Sequence, residues 1–575
     1  MDSWTIKKCL RKFTSKKSFL VRIIFFFFIF FFVFHVIKFE PKKSFFLTSN
    51  IIELPDFSPY VSSNSFNKKP TSQNNNTIDV IIEHTILFPD FLLVILANNG
   101  NNFSMYNISY YKIDCVYNGS VYPMLNFDGF DSGESRWFVR CPIPPLNNLV
   151  AVGLRLHRDK VAQLVAENQT ILSWSNKLVY EATFDGEEIV AIFVKGLGLN
   201  GEKRSNPSQF FCKFGKSLEL STKAITAAQE VIRCPLPLGV TRSSIVEKNE
   251  EIQVTIERKI GSKSYVVPSI AKLHKKNDND FIKGNNNYKY ELCACTMVWN
   301  QAAFIKEWIA YHAWLGIQRW FVYDNNSDDG LREVISDLNS ENYNVSRHSW
   351  PWLKSQEAGF AHSLLKARDQ CSWIAFFDVD EFYYFTSPKL GHKVKEEHAG
   401  QNRLRDVVHN LSSSPFKGQM KTNCYNFGPS KLRESPKEGV PLGYTCRLRN
   451  FDRHKSIVRP DSVDESLLNR VHHFELKPGF SGKTLSLKTA VINHYKYPVW
   501  DVFKAKFERR VSAYVVDWKE NKNEESKDRT PGLGTEAIEP QDWSSRFCEV
   551  WDTRLRDFIR SNLANFNSTL LLPWH

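Results

Sequence analysis

Cysteine is scarce in this chain of 575 residues, which contains only eleven. That number is too small for a disulfide-dense scaffold of this length, but it allows several structural bridges in an oxidising compartment. Cys293 and Cys295 share one face of a predicted strand. Because the sequence offers no second Cys or His pair at zinc-ligand spacing, packing or a bridge from one of them to Cys371 is favoured over a zinc site.

The excess of positive charge is also small outside the first 22 residues. The net charge is +13, and the first 22 residues, with seven Lys or Arg and one Asp, contribute +6 of it. The sequence contains no nucleic-acid-binding motif, so we exclude a nucleic-acid partner. The chain is too long for one hydrophobic core, and we expect two or more domains.

One apolar run is long enough to cross a membrane, at residues 19–37. Nineteen helical residues span about 28 Å, close to the thickness of a bilayer core. Basic residues precede the run, which predicts a cytosolic tail (1–18), a transmembrane signal anchor (19–37) and type II topology. A cleaved signal peptide is the alternative, but no small-x-small cleavage site follows. Residues 38–78 are a predicted stem, and nine Asn-x-Ser/Thr sequons agree with a lumenal C-terminal part.

Residues 79–272 contain short β-strand patterns separated by turns rich in Asn and Gly. A faint internal repeat is present, because each half carries a cysteine followed later by Arg-Cys-Pro. We therefore predict a β-sandwich-like domain with the disulfides Cys115–Cys141 and Cys212–Cys234. The domain is either a carbohydrate-binding module or a packing domain without a ligand, and the sequence leaves both open.

From residue 288 to 575 strands and helices alternate, which predicts an α/β domain with a mostly parallel sheet. Its fourth strand is the apolar run Trp373–Phe377, followed directly by Asp378 and Asp380. If the chain stays extended there, both carboxylates point the same way. Two oxygen ligands at the carboxyl end of a buried strand suit Mg²⁺ or Mn²⁺, which can hold a diphosphate. The alternative is a pair of solvated acids at a strand end.

A series of motifs in this domain resembles glycosyltransferase family 92. They are Glu291–Asn300, Glu307–His312, Tyr323–Ser327, Phe376–Phe382, Gly443–Arg447, Lys455–Pro460, His472–Phe474 and Asn493–Tyr495. The resemblance covers residues 288–518, and the later motifs are similar to those of plant members, which include the β-1,4-galactan synthases of pectin. It implies a GT-A fold, inversion at the anomeric carbon and Mn²⁺ as the cofactor.

A divalent metal on Asp378 and Asp380 would neutralise the departing nucleoside diphosphate. Resemblance to glycosyltransferases of this fold implies a further histidine ligand, for which His473 is our first choice and His494 our second. Two neighbouring carboxylates repel unless a cation lies between them. We therefore expect Asp380→Asn to abolish transfer while leaving the melting temperature in EDTA equal or slightly higher.

The donor nucleotide is expected at the end of the second strand of this domain. Asp324, with Asn325 and Ser327, is our choice for binding uracil or ribose, in which case the sequon at Asn325 stays unglycosylated. The alternative is a turn built from Asx residues. Lys455 and Arg459 are candidates for the phosphate oxygens, although Lys455 has a local ion pair as its alternative.

An inverting enzyme also needs a base for the acceptor hydroxyl. Spacing does not select one, and the candidates in the acceptor half are Glu434, Asp452 and Glu475. Cys424 and Cys446 flank one loop and are a predicted disulfide.

Two aromatic stripes near the C-terminus keep helical spacing. They run from Trp500 to Trp518 and from Trp543 to Phe558. Packing into a core is favoured over two membrane-surface helices.

These observations predict a type II protein of the Golgi membrane that transfers a sugar from a UDP-sugar donor to a glycan acceptor. UDP-galactose is the leading donor and a cell-wall galactan the leading acceptor. The alternatives are an N-glycan or arabinogalactan acceptor, or a non-catalytic lumenal glycan-binding protein with the same fold. The sequence leaves open the formation of a homo-oligomer.

Overall fold

The computed structural model describes residues 80–98, 112–131, 136–145, 151–158, 161–168, 170–199, 203–242, 251–273, 289–386, 400–470, 472–514, 538–564 and 572–575. The predicted tail (1–18), anchor (19–37) and stem (38–78) lie outside these residues. Within the described residues, no helix combines the length and the apolar character needed to cross a bilayer.

The first strands form a β-sandwich. They are β1 (Val80–Leu87), β2 (Leu92–Asn98), β3 (Lys112–Tyr117), β4 (Ser120–Pro123), β5 (Asn126–Asp131), β6 (Arg136–Cys141), β7 (Val152–Arg158), β8 (Val161–Asn168) and β9 (Ile171–Ser173). One sheet has the order β5-β6-β2-β1-β9 and the other β4-β3-β7-β8. Alternate side chains such as Val94 and Leu154 are buried between the sheets. The disulfide Cys115–Cys141 joins β3 to β6, and therefore one sheet to the other.

A second sandwich follows. Its strands are β10 (Leu178–Phe184), β11 (Ile189–Lys195), β12 (Phe210–Phe214), β13 (Leu220–Lys223), β14 (Thr226–Ala228), β15 (Val231–Pro235), β16 (Ile252–Ile260), β17 (Lys263–Val266) and β18 (Lys272–Leu273), with a 3₁₀ turn at Pro207–Gln209. Cys212 on β12 and Cys234 on β15 again join two sheets. Both predicted disulfides are confirmed. The internal repeat corresponds to two sandwiches, each with its own core, where we predicted one sandwich-like domain.

The remaining elements form the α/β part. Its strands are β19 (Tyr290–Val298), β20 (Arg319–Asp324), β21 (Val345–Ser349), β22 (Cys371–Phe376), β23 (Glu381–Phe385), β24 (Lys417–Asn426), β25 (Cys446–Arg447), β26 (Asp452–Val458), β27 (Ser481–Thr484), β28 (Ala490–His494) and β29 (Val550–Trp551). Its helices are α1 (Ala302–Trp314), α2 (Leu331–Ser340), α3 (Gln356–Arg368), α4 (Arg403–Ser412), α5 (Val440–Gly443), α6 (Trp500–Tyr514) and α7 (Arg554–Asn562), with 3₁₀ turns at Pro460–Ser462 and Trp543–Ser545.

The main sheet has the order β21-β20-β19-β22-β26-β24-β28-β23. The first four strands in this order are parallel. The next strands are mixed, because β26 runs antiparallel to β22 and β24, and β23 antiparallel to β28. The prediction of a mostly parallel sheet thus holds for one half and is wrong for the other. Asp324 ends β20 and Asp378 follows β22, so both lie at the carboxyl edge of the parallel half.

Strand β22 lies at the centre of the sheet and is buried on both faces. Trp373 and Ala375 belong to one hydrophobic core. Ile374 and Phe376, which point the other way, belong to a second core. This burial explains the continuous apolar run in the sequence, since a strand covered on two sides needs apolar residues at every position.

The second of these cores continues into both sandwiches. The ring centroids of Trp174 and Trp352 are 5.4 Å apart, and those of Tyr180 and Trp350 are 6.2 Å apart. A buried arginine adds a polar connection. Arg140 pairs with Asp128 at 2.8 Å and donates to the carbonyl oxygens of Asn326 and Ser327 at 3.2 and 2.9 Å. The first sandwich therefore holds the loop that follows β20.

The pairing of the other cysteines agrees with the prediction only in part. Cys293 on β19 is bonded to Cys371 on β22, which confirms one of the two bridges we considered. The predicted Cys424–Cys446 disulfide is wrong. Cys446 is bonded to Cys548 across 102 residues, and Cys424 is a free, buried thiol, as is Cys295. The Cys446–Cys548 bridge lies next to the antiparallel pair of β25 and β29.

The first part of the first aromatic stripe packs on helix α6 as predicted, whereas Trp518 lies outside the described residues. Trp500, Phe503 and Phe507 form a small buried cluster with Trp543. The second stripe does not form one helix. Trp543 lies in a 3₁₀ turn, Trp551 lies in β29 and is 55% exposed, and α7 begins only at Arg554.

Candidate active site

The chain turns directly after β22, where we considered an extended conformation. The N–H of Glu381 donates to the carbonyl oxygen of Asp378 at 3.1 Å. In return, the N–H of Asp378 donates to Glu381 Oε2 at 2.9 Å. After this reciprocal turn Asp378 and Asp380 have different partners, and Glu381 enters the site as the first residue of β23.

Three ligand-type side chains converge at this turn. One atom each from Asp380, Glu381 and His494 lies within 4.8 Å of the other two. His494 ends β28, and the antiparallel register places it opposite Glu381 at the start of β23. Its Nε2 is 3.6 Å from Asp380 Oδ2, and its Nδ1 is 3.6 Å from Glu381 Oε1.

The donor set fits a divalent cation. Glu381 is fully buried, and its Oε1 pairs with the Lys455 ammonium at 3.0 Å and faces His494 Nδ1 at 3.6 Å. A buried carboxylate needs a cation beside it, and Lys455 already meets this one, so the fit to a metal rests on the chemistry of the donor set. Two carboxylates and one imidazole are ligands that Mn²⁺ accepts.

Asp378 is engaged by a different set of groups. Its Oδ2 accepts from the Lys455 ammonium at 2.7 Å and lies 3.4 Å from His472 Nε2. Burial by itself raises the pKa of Asp378, but the charges of Lys455 and His472 lower it well below its ordinary value. Asp378 is therefore ionised at neutral pH and is held by protein cations in this structure.

Asp380 has its own cation. Its Oδ2 forms an ion pair with the ammonium of Lys506 on α6, and the same oxygen faces His494. Burial raises the pKa of this carboxyl, while Lys506 and His494 lower it further than burial raises it. Repulsion between the two aspartates is consequently relieved by separate partners, Lys455 for one and Lys506 for the other.

His473, our first choice for the histidine ligand, is placed elsewhere. Its Nε2 bonds with the carbonyl oxygen of His454 at 2.9 Å, and the two imidazole rings are 4.2 Å apart. Burial and the neighbouring His454 lower the pKa of His473 to about 3. The structure brings our second choice, His494, to the carboxylates in its place.

The predicted nucleotide loop is an internally bonded turn. Asp324 is 3% exposed, accepts from the Ser327 N–H at 2.9 Å and pairs with Arg347 at 2.7 Å. The Asn325 amide donates to the carbonyl oxygen of Trp350 at 2.6 Å. The same nitrogen donates to the carbonyl oxygen of Trp352 at 3.3 Å, so a glycan, which replaces one of its two hydrogens, would remove at least one of these bonds. This agrees with the expectation that the sequon stays unused. The Asx-turn interpretation accounts for these contacts.

The two phosphate candidates are separated. Lys455 is buried and contacts Asp378 and Glu381, so it lies beside the group formed by Asp380, Glu381 and His494, the candidate metal-ligand group. Arg459 pairs with Asp461 and donates to the carbonyl oxygen of Pro415 at 3.1 Å. These contacts hold Arg459 to its own turn rather than to the residues around Asp380.

The three base candidates also lie apart. Glu434 is exposed on the segment before α5. Glu475 pairs with Arg204 of the second sandwich at 3.2 Å. Asp452 is the one connected to the site, because it accepts from the Asn426 amide at 3.2 Å, and Asn426 is in register with His494. Partial burial raises the pKa of Asp452, but the Asn426 hydrogen bond and the charge of Lys496 lower it below its ordinary value.

Sequence reasoning missed Glu381, His472 and Lys506. Glu381 stands inside the predicted motif, and a turn signal at Asp378–Asp380 would have directed attention to it. His472 is adjacent to His473, and its left-handed backbone, with φ of 67°, decides which of the two rings faces Asp378. Lys506 is 126 residues from Asp380 and carries no local signal.

Solved structures match this chain only at low similarity. A mannosyltransferase from Pyrobaculum calidifontis in complex with GDP-Man and Mn²⁺ matches 41% of this chain and 66% of its own, with a TM-score of 0.23 and 10% identity. A glucosyl-3-phosphoglycerate synthase from Mycobacterium tuberculosis matches 37% and 75%, with a TM-score of 0.20 and 12% identity. At these TM-scores we draw no conclusion from the likeness.

The sequence itself has much nearer relatives. The profile of glycosyltransferase family 92 matches residues 288–530. A family 92 protein of Ricinus communis is 47% identical over 521 residues, which cover 88% of this chain and 86% of the relative. A family 92 protein of Arabidopsis thaliana is 47% identical over 504 residues, covering 86% and 84%. This chain belongs to glycosyltransferase family 92.

Proposed function

We propose that this protein is an inverting, metal-dependent glycosyltransferase whose donor is a UDP-sugar. The observation that carries the proposal is the convergence of Asp380, Glu381 and His494 at the carboxyl edge of the parallel strands. Ligands bind at this edge in α/β sheets. The group consists of two carboxylates and one imidazole, which are ligands that a divalent cation such as Mn²⁺ accepts.

Three residues would hold the metal, and their neighbours would keep them in place. The β23–β28 pairing fixes Glu381 opposite His494, and the turn after β22 fixes Asp380. When bound, Mn²⁺ supplies a Lewis acid that offsets the charge of the departing diphosphate. Lys455, held between Asp378 and Glu381, adds a fixed positive charge to the same region.

Asp452 is our proposed base for the acceptor hydroxyl. Its carboxylate is 47% exposed, so an acceptor can reach it. The Asn426 amide and the Lys496 ammonium, at 3.2 and 3.4 Å, hold it ionised and oriented beside the strand that ends next to His494. An ionised, oriented carboxylate can take the proton of an acceptor hydroxyl, and the lowered pKa of Asp452 makes it a weak base.

We further propose UDP-galactose as the donor and a cell-wall galactan as the acceptor, in the Golgi membrane with the α/β part in the lumen. The support is the motif resemblance to plant family members and the basic residues that precede residues 19–37. An N-glycan or arabinogalactan acceptor remains the alternative, to be separated by a panel of acceptors.

The test is UDP release and product formation by the purified lumenal part with UDP-sugars. We expect activity with Mn²⁺, none after EDTA, and a loss of at least about 10²–10³ in rate for Asp380→Asn, because the metal loses a charged ligand. The control is Asp337→Asn, which removes an exposed carboxylate on α2. Activity that survives EDTA, or an Asp380→Asn variant with normal turnover, would contradict the metal role.

The same variant corrects our expectation about stability. Asp378 repels Asp380, but the pairing of Asp380 with Lys506 and His494 outweighs that repulsion. Neutralisation of Asp380 therefore removes an attraction of about 1 kcal/mol or less, as is usual for partly exposed pairs. We now expect Asp380→Asn to melt slightly below the wild type in EDTA, where the sequence alone suggested an equal or higher melting temperature.

A further inference from the structure

The carboxylate oxygen of Asp380 that faces the metal-ligand group also holds a lysine. Asp380 Oδ2 forms an ion pair with the Lys506 ammonium and lies 3.6 Å from His494 Nε2. A divalent ion and an ammonium cannot both contact this oxygen without strong repulsion, because two positive centres would then lie within a few ångströms of each other. Lys506 would thus compete with a metal ion for this oxygen.

Lys506 differs from the other lysine of the site in how firmly it is held. The Lys455 side chain is 8% exposed and bridges two carboxylates. The Lys506 side chain is 45% exposed. It extends from the polar edge of α6, whose other face is fixed by Phe503 and Phe507 against Trp543. The helix therefore stays in place while the ammonium, on four rotatable carbons, is able to leave Asp380.

We propose that Lys506 is a binding residue with two partners: Asp380 in the nucleotide-free protein and the diphosphate of the donor in the loaded protein. The inference rests on the proposed function and deepens it. Entry of a metal with a nucleoside diphosphate displaces the ammonium from Asp380 and brings phosphate oxygens that accept it nearby. Metal and nucleotide should consequently bind together, since the metal alone must compete with Lys506.

The test measures binding rather than turnover. The affinity of the nucleotide-free protein for Mn²⁺, and the affinity for UDP at saturating Mn²⁺, are determined by calorimetry for wild type and Lys506→Gln. Without its competitor, we expect Lys506→Gln to bind Mn²⁺ about fivefold more tightly. The same variant should bind UDP about tenfold more weakly, because a charge-assisted contact is lost. Lys506→Arg should restore both values toward the wild type.

The matched control is Lys504→Gln, which removes the same charge from an exposed position on the same helix. It should change neither affinity by more than about twofold. Equal Mn²⁺ or UDP binding by wild type and Lys506→Gln, or an equal effect of Lys504→Gln, would overturn the proposal while leaving the metal site intact. If wild-type protein binds no Mn²⁺ even with UDP, the metal site is refuted, and this proposal with it.

Discussion

At the scale of single residues, the site depends on a turn and on the choice between two adjacent histidines. The sequence shows the acidic motif from Asp378 to Glu381. The turn within the motif brings Asp380 together with Glu381, where the sequence predicted Asp380 with Asp378. His472 and His473 lie in an irregular segment, where neither a period of two nor one of 3.6 assigns a direction. Only the fold shows that His472 faces Asp378 and His473 faces His454.

Glu307 on α1 supplies a prediction about pH. Burial raises its pKa from the ordinary 4.5 to about 8, although the Val440 N–H donates to its Oε2 at 3.0 Å. The folded protein therefore keeps this proton up to about pH 8, while the unfolded chain loses it near pH 4.5. The native state binds more protons than the unfolded state between these values, so stability falls as the pH rises through this window.

We expect Glu307→Gln to remove this dependence, because the amide does not titrate. The melting temperature of the wild type should fall relative to the variant between pH 5 and pH 8, by an amount corresponding to at most about 4 kcal/mol. The control is Glu341→Gln, which removes a more exposed carboxylate that pairs with Lys306 at 2.9 Å. Parallel melting curves of wild type and Glu307→Gln across this pH range would contradict the assignment.

At the scale of elements, the disulfides show where sequence distance misleads. Cys424 and Cys446 are close in the chain, yet the sulfur that reaches Cys446 is that of Cys548. The short β25–β29 pair brings those two segments together. Cys424 instead lies in the hydrophobic core near Glu381. Its burial there raises the pKa of the thiol well above its ordinary value.

Peptide mapping without reduction should recover Cys446 linked to Cys548 and leave Cys424 to react with a thiol reagent only after denaturation. Cys548→Ala should lower the stability of the folded protein by about 3–5 kcal/mol, because a loop of this length is no longer closed in the unfolded chain. Cys424→Ala is the matched control and should cost less than Cys548→Ala while leaving the bridge intact. Recovery of a Cys424–Cys446 peptide would refute the pairing.

The aromatic stripes near the C-terminus show that local spacing alone does not decide the structure of a segment. The stripe from Trp500 to Phe507 is one helix face because its partners, with Trp543, form a closed cluster. The stripe from Trp543 to Phe558 has equal spacing, but the Cys446–Cys548 bridge and β29 interrupt it. Apolar residues at helical spacing are thus necessary for a buried helix face. They do not ensure such a face when a disulfide and a strand pair lie within the same segment.

At the scale of the whole molecule, the two sandwiches and the α/β part share a core. Trp174 and Tyr180 pack against Trp352 and Trp350, and Arg140 bonds with the loop after β20. This arrangement favours the packing role over an independent carbohydrate-binding module, because much of the aromatic surface of the sandwiches faces the α/β part.

Cleavage of the chain should therefore leave the two parts together. With a protease site inserted at 276–286, the cut fragments should co-elute and melt in one transition, since their contact is a buried aromatic core. The comparison variant is Trp174→Asp, which places a charge in that core, and its fragments should separate on cutting. Wild-type fragments that part in buffer would show that the sandwiches are independent domains.

The sequence by itself determined what depends on neighbouring residues. The alternation of strands and helices, the buried strand before Asp378, the internal repeat and its two disulfides are all consequences of local spacing. Side-chain direction within a strand or helix follows from its period, so such features are fixed before distant segments meet.

Only the tertiary structure decided which distant groups complete the site. His494, Lys506 and Arg140 reach their partners through strand pairing and through packing between domains, not through spacing along the chain. The same holds for Cys548 and for the antiparallel half of the sheet. The physical reason is that contacts between segments far apart in the chain depend on how whole elements pack, and a local pattern of polar and apolar residues is compatible with many such packings.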